Sequence, residues 1–203
     1  MDPLEKISTP SSDPFRGFIA VEVEAEYGLL LESALRSTLS DCLRPQWREI
    51  PRHNYHLTLV FLGNLPPGLL HNLATAMLSC RDHHEFSLQP QRIDFLNRRR
   101  GDLIVALFGR EQLNRLEDLQ RQLVASLDPA TYQPTGKPFR PHITLARRKR
   151  SARQKIADEL SRQLPAGLRL PPLPVRSVAL FESQLTPDGS IYHPLLRVPL
   201  THA

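Results

Sequence analysis

Two cysteines in 203 residues, Cys42 and Cys80, are too few for a disulfide framework, and neither stands at a metal-type spacing from a second ligand. Glycine is also scarce. Its 9 copies form neither G-x-G-x-x-G nor G-x-x-x-x-G-K-[ST], which excludes a P-loop phosphate cradle. No G-x-S-x-G elbow is present for Ser-His-Asp chemistry. No apolar run approaches the roughly 18 residues that span a bilayer. Residues 1–14 hold acids, Pro and Ser but no apolar core of a signal peptide, so they read as a flexible leader before one domain over 15–203. A hydrophobic share of 40% with 23% charged residues excludes a disordered tail, a coiled coil or a collagen-like fibre. A soluble, cytoplasmic chain is the expectation, and with no helical interface in view a monomer.

What the chain does hold is arginine. Of 26 basic residues 22 are Arg, and the net charge is +5. Eight of the basic residues crowd between Lys137 and Lys155 with no acid among them, and Arg98-Arg99-Arg100 makes a second knot. A guanidinium fork matches phosphate oxygens two at a time, so an anionic partner fits this composition without being named by it.

Periodicity predicts strands over 16–23, 55–62, 86–88, 93–96, 102–108, 142–146, 175–182 and 192–200, and helices over 29–43, 69–80, 111–127 and 151–164. The order mixes the two types without strict alternation, which favours α+β over a doubly wound parallel sheet. Thr186-Pro187-Asp188-Gly189-Ser190 is a turn, expected to join the last two strands as a hairpin.

One short pattern occurs twice: His56-Leu57-Thr58-Leu59 and His142-Ile143-Thr144-Leu145. With 8 His and 9 Thr in the chain, about 0.06 copies of His-apolar-Thr-apolar are expected by accident. Along a strand, residues i and i+2 share a face. Each tetrad therefore sends Leu or Ile into a core and presents an imidazole and a hydroxyl to the other side. If the two strands come from equivalent halves, both pairs face one groove. Two imidazoles with intrinsic pKa near 6.5 serve there as acid and base, and the hydroxyls donate to phosphate oxygens. The remaining histidines read as structural or exposed. His53 lies three residues before His56, on the opposite face of a strand, which argues against a shared metal.

The paired tetrads resemble the two-histidine phosphoesterase superfamily, also described as 2′-5′ RNA ligase-like. The longer strings His56-Leu57-Thr58-Leu59-Val60-Phe61-Leu62-Gly63 and Arg140-Pro141-His142-Ile143-Thr144-Leu145-Ala146-Arg147 resemble its RNA 2′,3′-cyclic phosphodiesterase branch. So do Arg16-Gly17-Phe18-Ile19-Ala20 and the stretch from Leu180 through Gly189 to Tyr192. The resemblance implies a single α+β domain of two pseudo-twofold-related lobes, each an antiparallel sheet with helices outside, and an active site in the cleft between them. It implies hydrolysis of a terminal 2′,3′-cyclic phosphate, on RNA 3′ ends or small nucleotides, to a 2′-phosphate, with no metal, cofactor or membrane. His56 is then the general acid and His142 the general base. Thr58 and Thr144 hold non-bridging oxygens, Arg147 neutralises transition-state charge, and Phe61 stacks on the terminal base. Arg148, Lys149 and Arg150 steer an RNA backbone toward the cleft. Strict alternation turns Phe61 away from His56, so a bulge or the strand end must redirect it. Reversible 2′-5′ RNA ligation, hydrolysis of another cyclic phosphate and non-catalytic binding of RNA ends stay open as alternatives.

Overall fold

The computed structural model describes residues 7–202 except Cys42, 97–101, 111–112, Ala130, Thr135, Lys137, 150–168 and Asp188. Strands β1 (Phe15–Glu22), β2 (Trp47–Glu49), β3 (His56–Leu65), β4 (Phe86–Leu88), β5 (Pro90–Phe95), β6 (Leu103–Phe108), β7 (His142–Arg148), β8 (Leu173–Val175), β9 (Ser177–Thr186) and β10 (Gly189–Pro199) accompany helices α1 (Ala25–Thr38), α2 (Leu70–Met77) and α3 (Leu113–Ser126). The helix expected over 151–164 and the knot Arg98-Arg99-Arg100 lie outside the described residues.

The main sheet runs β10-β9-β1-β3-β7-β6-β5, antiparallel throughout, and β4 and β8 make a small separate pair. It is two sheets in effect. β3 and β7 meet at one residue pair, Leu57 opposite Ile143, and both side chains are fully buried. On one side of that junction lies β10-β9-β1-β3, on the other β7-β6-β5, and both belong to one α+β domain with a continuous core. The halves repeat each other. β6, α3 and β7 begin 88, 88 and 86 residues after β1, α1 and β3. In each half a strand, a helix and an antiparallel neighbour of that strand follow in order, and the last of the three opens with a tetrad.

Local sequence explains most element bounds. α1 buries Tyr27, Leu31 and Leu35 at four-residue spacing, and α3 buries Leu116, Leu119 and Leu123. α1 starts four residues earlier than its periodicity suggests and stops at Thr38, yet Leu39 and Leu43 beyond it are still buried. The apolar stripe outlasts the helix because the irregular turn that follows packs on the same core. β2, three residues between Pro45 and Pro51, is too short to carry a period. It continues the edge along β7 that β3 begins: Trp47 to Glu49 pair with Arg148 to Ala146. Between them the chain loops out through Asn54 and returns at His56.

From Ile7 onward the N-terminal segment makes contacts with the domain: Ile7 packs on the core, and Ser8 N–H donates to Leu195 O at 2.8 Å. Glu182 on β9, 1% exposed, accepts hydrogen bonds from Ser11 N–H (2.9 Å), Ser11 Oγ (2.8 Å) and Ser12 Oγ (2.9 Å). A buried carboxylate draws such donors to itself, and two serines of a stretch without periodicity supply them.

Candidate active site

Both tetrads are strand starts, and in both the expected alternation holds: His56 and Thr58, like His142 and Thr144, are half-buried, while Leu57, Leu59, Ile143 and Leu145 are buried. The antiparallel match of Leu57 with Ile143 sets His56 across from Thr144 and Thr58 across from His142 on the opposite face. Four polar side chains therefore form a square over the junction of the halves, with the imidazoles on its diagonal. Diagonal neighbours on such a face stand about 7–8 Å apart at their backbones, room for one tetrahedral group between the rings.

Past the tetrads, both strands break register at the same place. β1 opposes β3 as Ile19 to Val60 and Ala20 to Thr58, so Leu59 is an extra residue. β6 opposes β7 as Ile104 to Ala146 and Val105 to Thr144, so Leu145 is extra. A bulge of this kind inverts the alternation beyond it. Two buried residues stand in succession, Leu59-Val60 and Leu145-Ala146, and the next residue returns to the tetrad's face. That residue is Phe61 in one half and Arg147 in the other. The bulge that strict alternation demanded for Phe61 is present, and its twin aims Arg147. A second slip, at Leu62, is followed by Gly63 with φ of 78°, a left-handed conformation in which a side chain would be strained.

The two rings are held alike. His56 Nδ1 lies 2.7 Å from Asn54 O, and His142 Nδ1 lies 2.7 Å from Arg140 O, the carbonyl two residues upstream in each case. A carbonyl only accepts, so Nδ1 carries the hydrogen and donates, and Nε2 is left to gain or lose a proton. Burial lowers His56 to about 4; its bond to Asn54 resists this, and the nearby His142 and Arg147 charges add to it. Burial likewise lowers His142, with Arg147 adding and the Arg140 carbonyl opposing. Both shifts favour the neutral imidazole.

A cavity of about 390 Å³ opens beside this square, with Arg16, His56, Thr58, Phe61, Arg147 and Tyr192 in its wall. His142 and Thr144 are outside that wall, on the adjoining strand. Four of the six expected residues, His56, Thr58, Phe61 and Arg147, thus line the cavity, His142 and Thr144 stand across the strand junction from them, and the Phe61 ring is exposed. The guanidinium of Arg16 sits 4.6 Å over the Phe61 ring. Sequence reasoning missed the aromatic collar of His56. Phe18 packs on the imidazole at 4.7 Å between centroids, Tyr192 meets it edge-on at 5.0 Å, and Phe181 stacks behind Phe18 at 5.1 Å. These residues come from β1, β9 and β10, and no local pattern announces that they converge. Among the described residues no helix is long and apolar enough to cross a membrane, and no group of three or more His, Cys, Asp or Glu could hold a metal ion.

Known proteins resemble this chain in sequence and in fold. The chain is 32% identical over 182 residues to an RNA 2′,3′-cyclic phosphodiesterase of Thermus thermophilus, covering 82% of this chain and 84% of the relative. Its fold matches a solved structure from Thermus thermophilus with a TM-score of 0.65 at 28% identity, over 91% of this chain and 97% of that one. It also matches E. coli LigT complexed with 3′-AMP, with a TM-score of 0.69 at 23% identity, over 93% and 99%. Residues 31–185, which carry both tetrads and both bulges, match the 2′-5′ RNA ligase superfamily, and the chain belongs to that family.

Proposed function

We propose that this protein is a phosphodiesterase that hydrolyses the 2′,3′-cyclic phosphate at an RNA 3′ end to a 2′-phosphate, by acid–base catalysis between its two tetrad histidines. The observation that carries the reading is the doubled site: two imidazoles, each with Nδ1 committed to a backbone carbonyl, across one strand junction from each other. The names of the relatives in the same family agree with it.

In this reading the cyclic phosphate sits over the square with Thr58 and Thr144 hydroxyls donating to its non-bridging oxygens. His142 Nε2 takes a proton from water as the water oxygen attacks phosphorus. The P–O3′ bond breaks in line, and His56 Nε2 delivers its proton to O3′. A 3′-hydroxyl and a 2′-phosphate leave, and one proton has passed in net from His56 to His142. Arg147 offsets the charge that grows on the pentacoordinate phosphoryl oxygens. The exposed ring of Phe61 takes the terminal base. His56 must be charged to act, and its collar disfavours that charge, so the bound phosphate anion has to supply the compensation. One chain provides every group, so a monomer suffices.

The test is product analysis on an oligoribonucleotide ending in 2′,3′-cyclic phosphate, in excess chelator, with 2′- and 3′-phosphate ends resolved. The expected product is the 2′-phosphate alone, with turnover reduced about 10²–10⁴-fold in His56→Ala and in His142→Ala. A 3′-phosphate product, joining of ends without hydrolysis, or unchanged turnover in either variant overturns the proposal.

A further inference from the structure

A second cavity, of about 280 Å³, lies beside the first, and Arg48, Asn54, Arg147 and Ser190 are among its lining residues. Arg48, Arg147, Ser190 and Tyr192 line both. The two arginines are not neighbours by accident of flexible side chains. β2 and β7 pair Arg48 directly with Arg147, which puts both side chains on one face of the sheet. Like charges directly opposite each other destabilise a strand pair.

Among the described residues no ion pair joins either guanidinium to a carboxylate. The acid next in sequence, Glu49, also lines the second cavity, but its carboxylate pairs with Arg36 at 3.8 Å and Arg44 at 4.0 Å. Arg48 instead reaches toward the turn between β9 and β10: a Cβ on Gly189 would stand 4.0 Å from its Nη1. Both arginines line both cavities, so a group held between them borders each.

We infer that Arg48 and Arg147 together clasp a second phosphate, the phosphodiester that precedes the terminal nucleotide, and that the cavity beyond them takes the next nucleotide of an RNA chain. The site is thereby built for RNA ends over free nucleoside cyclic phosphates. This rests on the reading of the first cavity as the reaction site. Arg147 borders both the reacting phosphate and this second group, and Arg48, which has no part in the reaction step, supplies the further guanidinium for a group shared by the two cavities.

Binding tests it without requiring turnover. Titration calorimetry compares adenosine 2′-phosphate with adenosine 2′,5′-bisphosphate, which adds a phosphate at the position of the preceding linkage. The wild-type protein is expected to hold the bisphosphate tighter by about tenfold or more, the worth of a charge-assisted contact. Arg48→Gln is expected to bring the ratio close to unity, and Arg48→Lys, which keeps the charge without the fork, to leave it intermediate. Equal affinities in the wild type, or a ratio that survives Arg48→Gln, overturns the inference. So does an equal loss for both ligands in Arg48→Gln, which would place Arg48 at the reacting phosphate. If the ratio behaves as expected but no cyclic phosphate is hydrolysed, the second phosphate site stands and the hydrolase reading falls.

Discussion

His56 combines a committed Nδ1, an aromatic collar and a pKa pressed down to about 4. Its lowered value means that the unfolded chain binds the proton first on acidification. Stability from this group is therefore complete above the ordinary histidine pKa and drains away as pH falls from about 6.5 toward 4, by about 3 kcal/mol at most. In thermal melts at stepped pH, the wild type should lose more Tm between pH 7 and 4 than His56→Gln does; parallel curves would show that burial does not hold the ring neutral. At this scale the sequence was most informative. His56, Thr58, His142, Thr144 and Arg147 stood out because a repeated pattern survives dilution by chance, and the structure brings them to one junction. Phe18, Phe181 and Tyr192 were illegible as a group, because each is an ordinary strand residue and only the order β10-β9-β1-β3 gathers them.

Among the elements, the paired bulges had a signal that alternation alone does not use: two apolar residues in succession from the last position of each tetrad, Leu59-Val60 and Leu145-Ala146. Each doublet fills the core twice in a row and so re-aims the next side chain, which is how an aromatic ring and a guanidinium come to share the face of the imidazoles. The short β2 left no such trace, and it is the element that sets Arg48 against Arg147. The contacts of the N-terminal segment leave no local signal for a related reason. Hydrogen bonding to one carboxylate on β9 has no period, so Ser11 and Ser12 looked idle. Burial works to raise the Glu182 carboxyl, but its bonds from Ser11 and Ser12 and the charge of His193 outweigh it and hold it below the usual range. Its stabilising effect is accordingly present above the ordinary carboxylate pKa and lost as pH falls through the lowered one. Replacing both serines with Ala should cost about 2–4 kcal/mol in urea unfolding at pH 7, and the deficit should shrink on acidification through the carboxylate range. A deficit independent of pH would deny the carboxylate its part.

For the molecule as a whole, the two halves contribute one histidine each and touch in the main sheet through Leu57 and Ile143. Ile143→Ala should cost about 2–5 kcal/mol of stability, as truncation of a fully buried aliphatic residue does. Because the same pair fixes the spacing of the imidazoles, kcat should fall further than the folded fraction accounts for, measured well below the variant's Tm. A variant with full kcat per folded molecule would show that other contacts set the spacing. The contact also fixes the order of events when the chain folds. Helices and hairpins can form within either half from neighbouring sequence, but the two tetrad histidines are not brought together until residues 86 positions apart are paired across the junction. Recovery of turnover after dilution from denaturant therefore times the docking of the halves, and it should lag behind recovery of the secondary-structure signal.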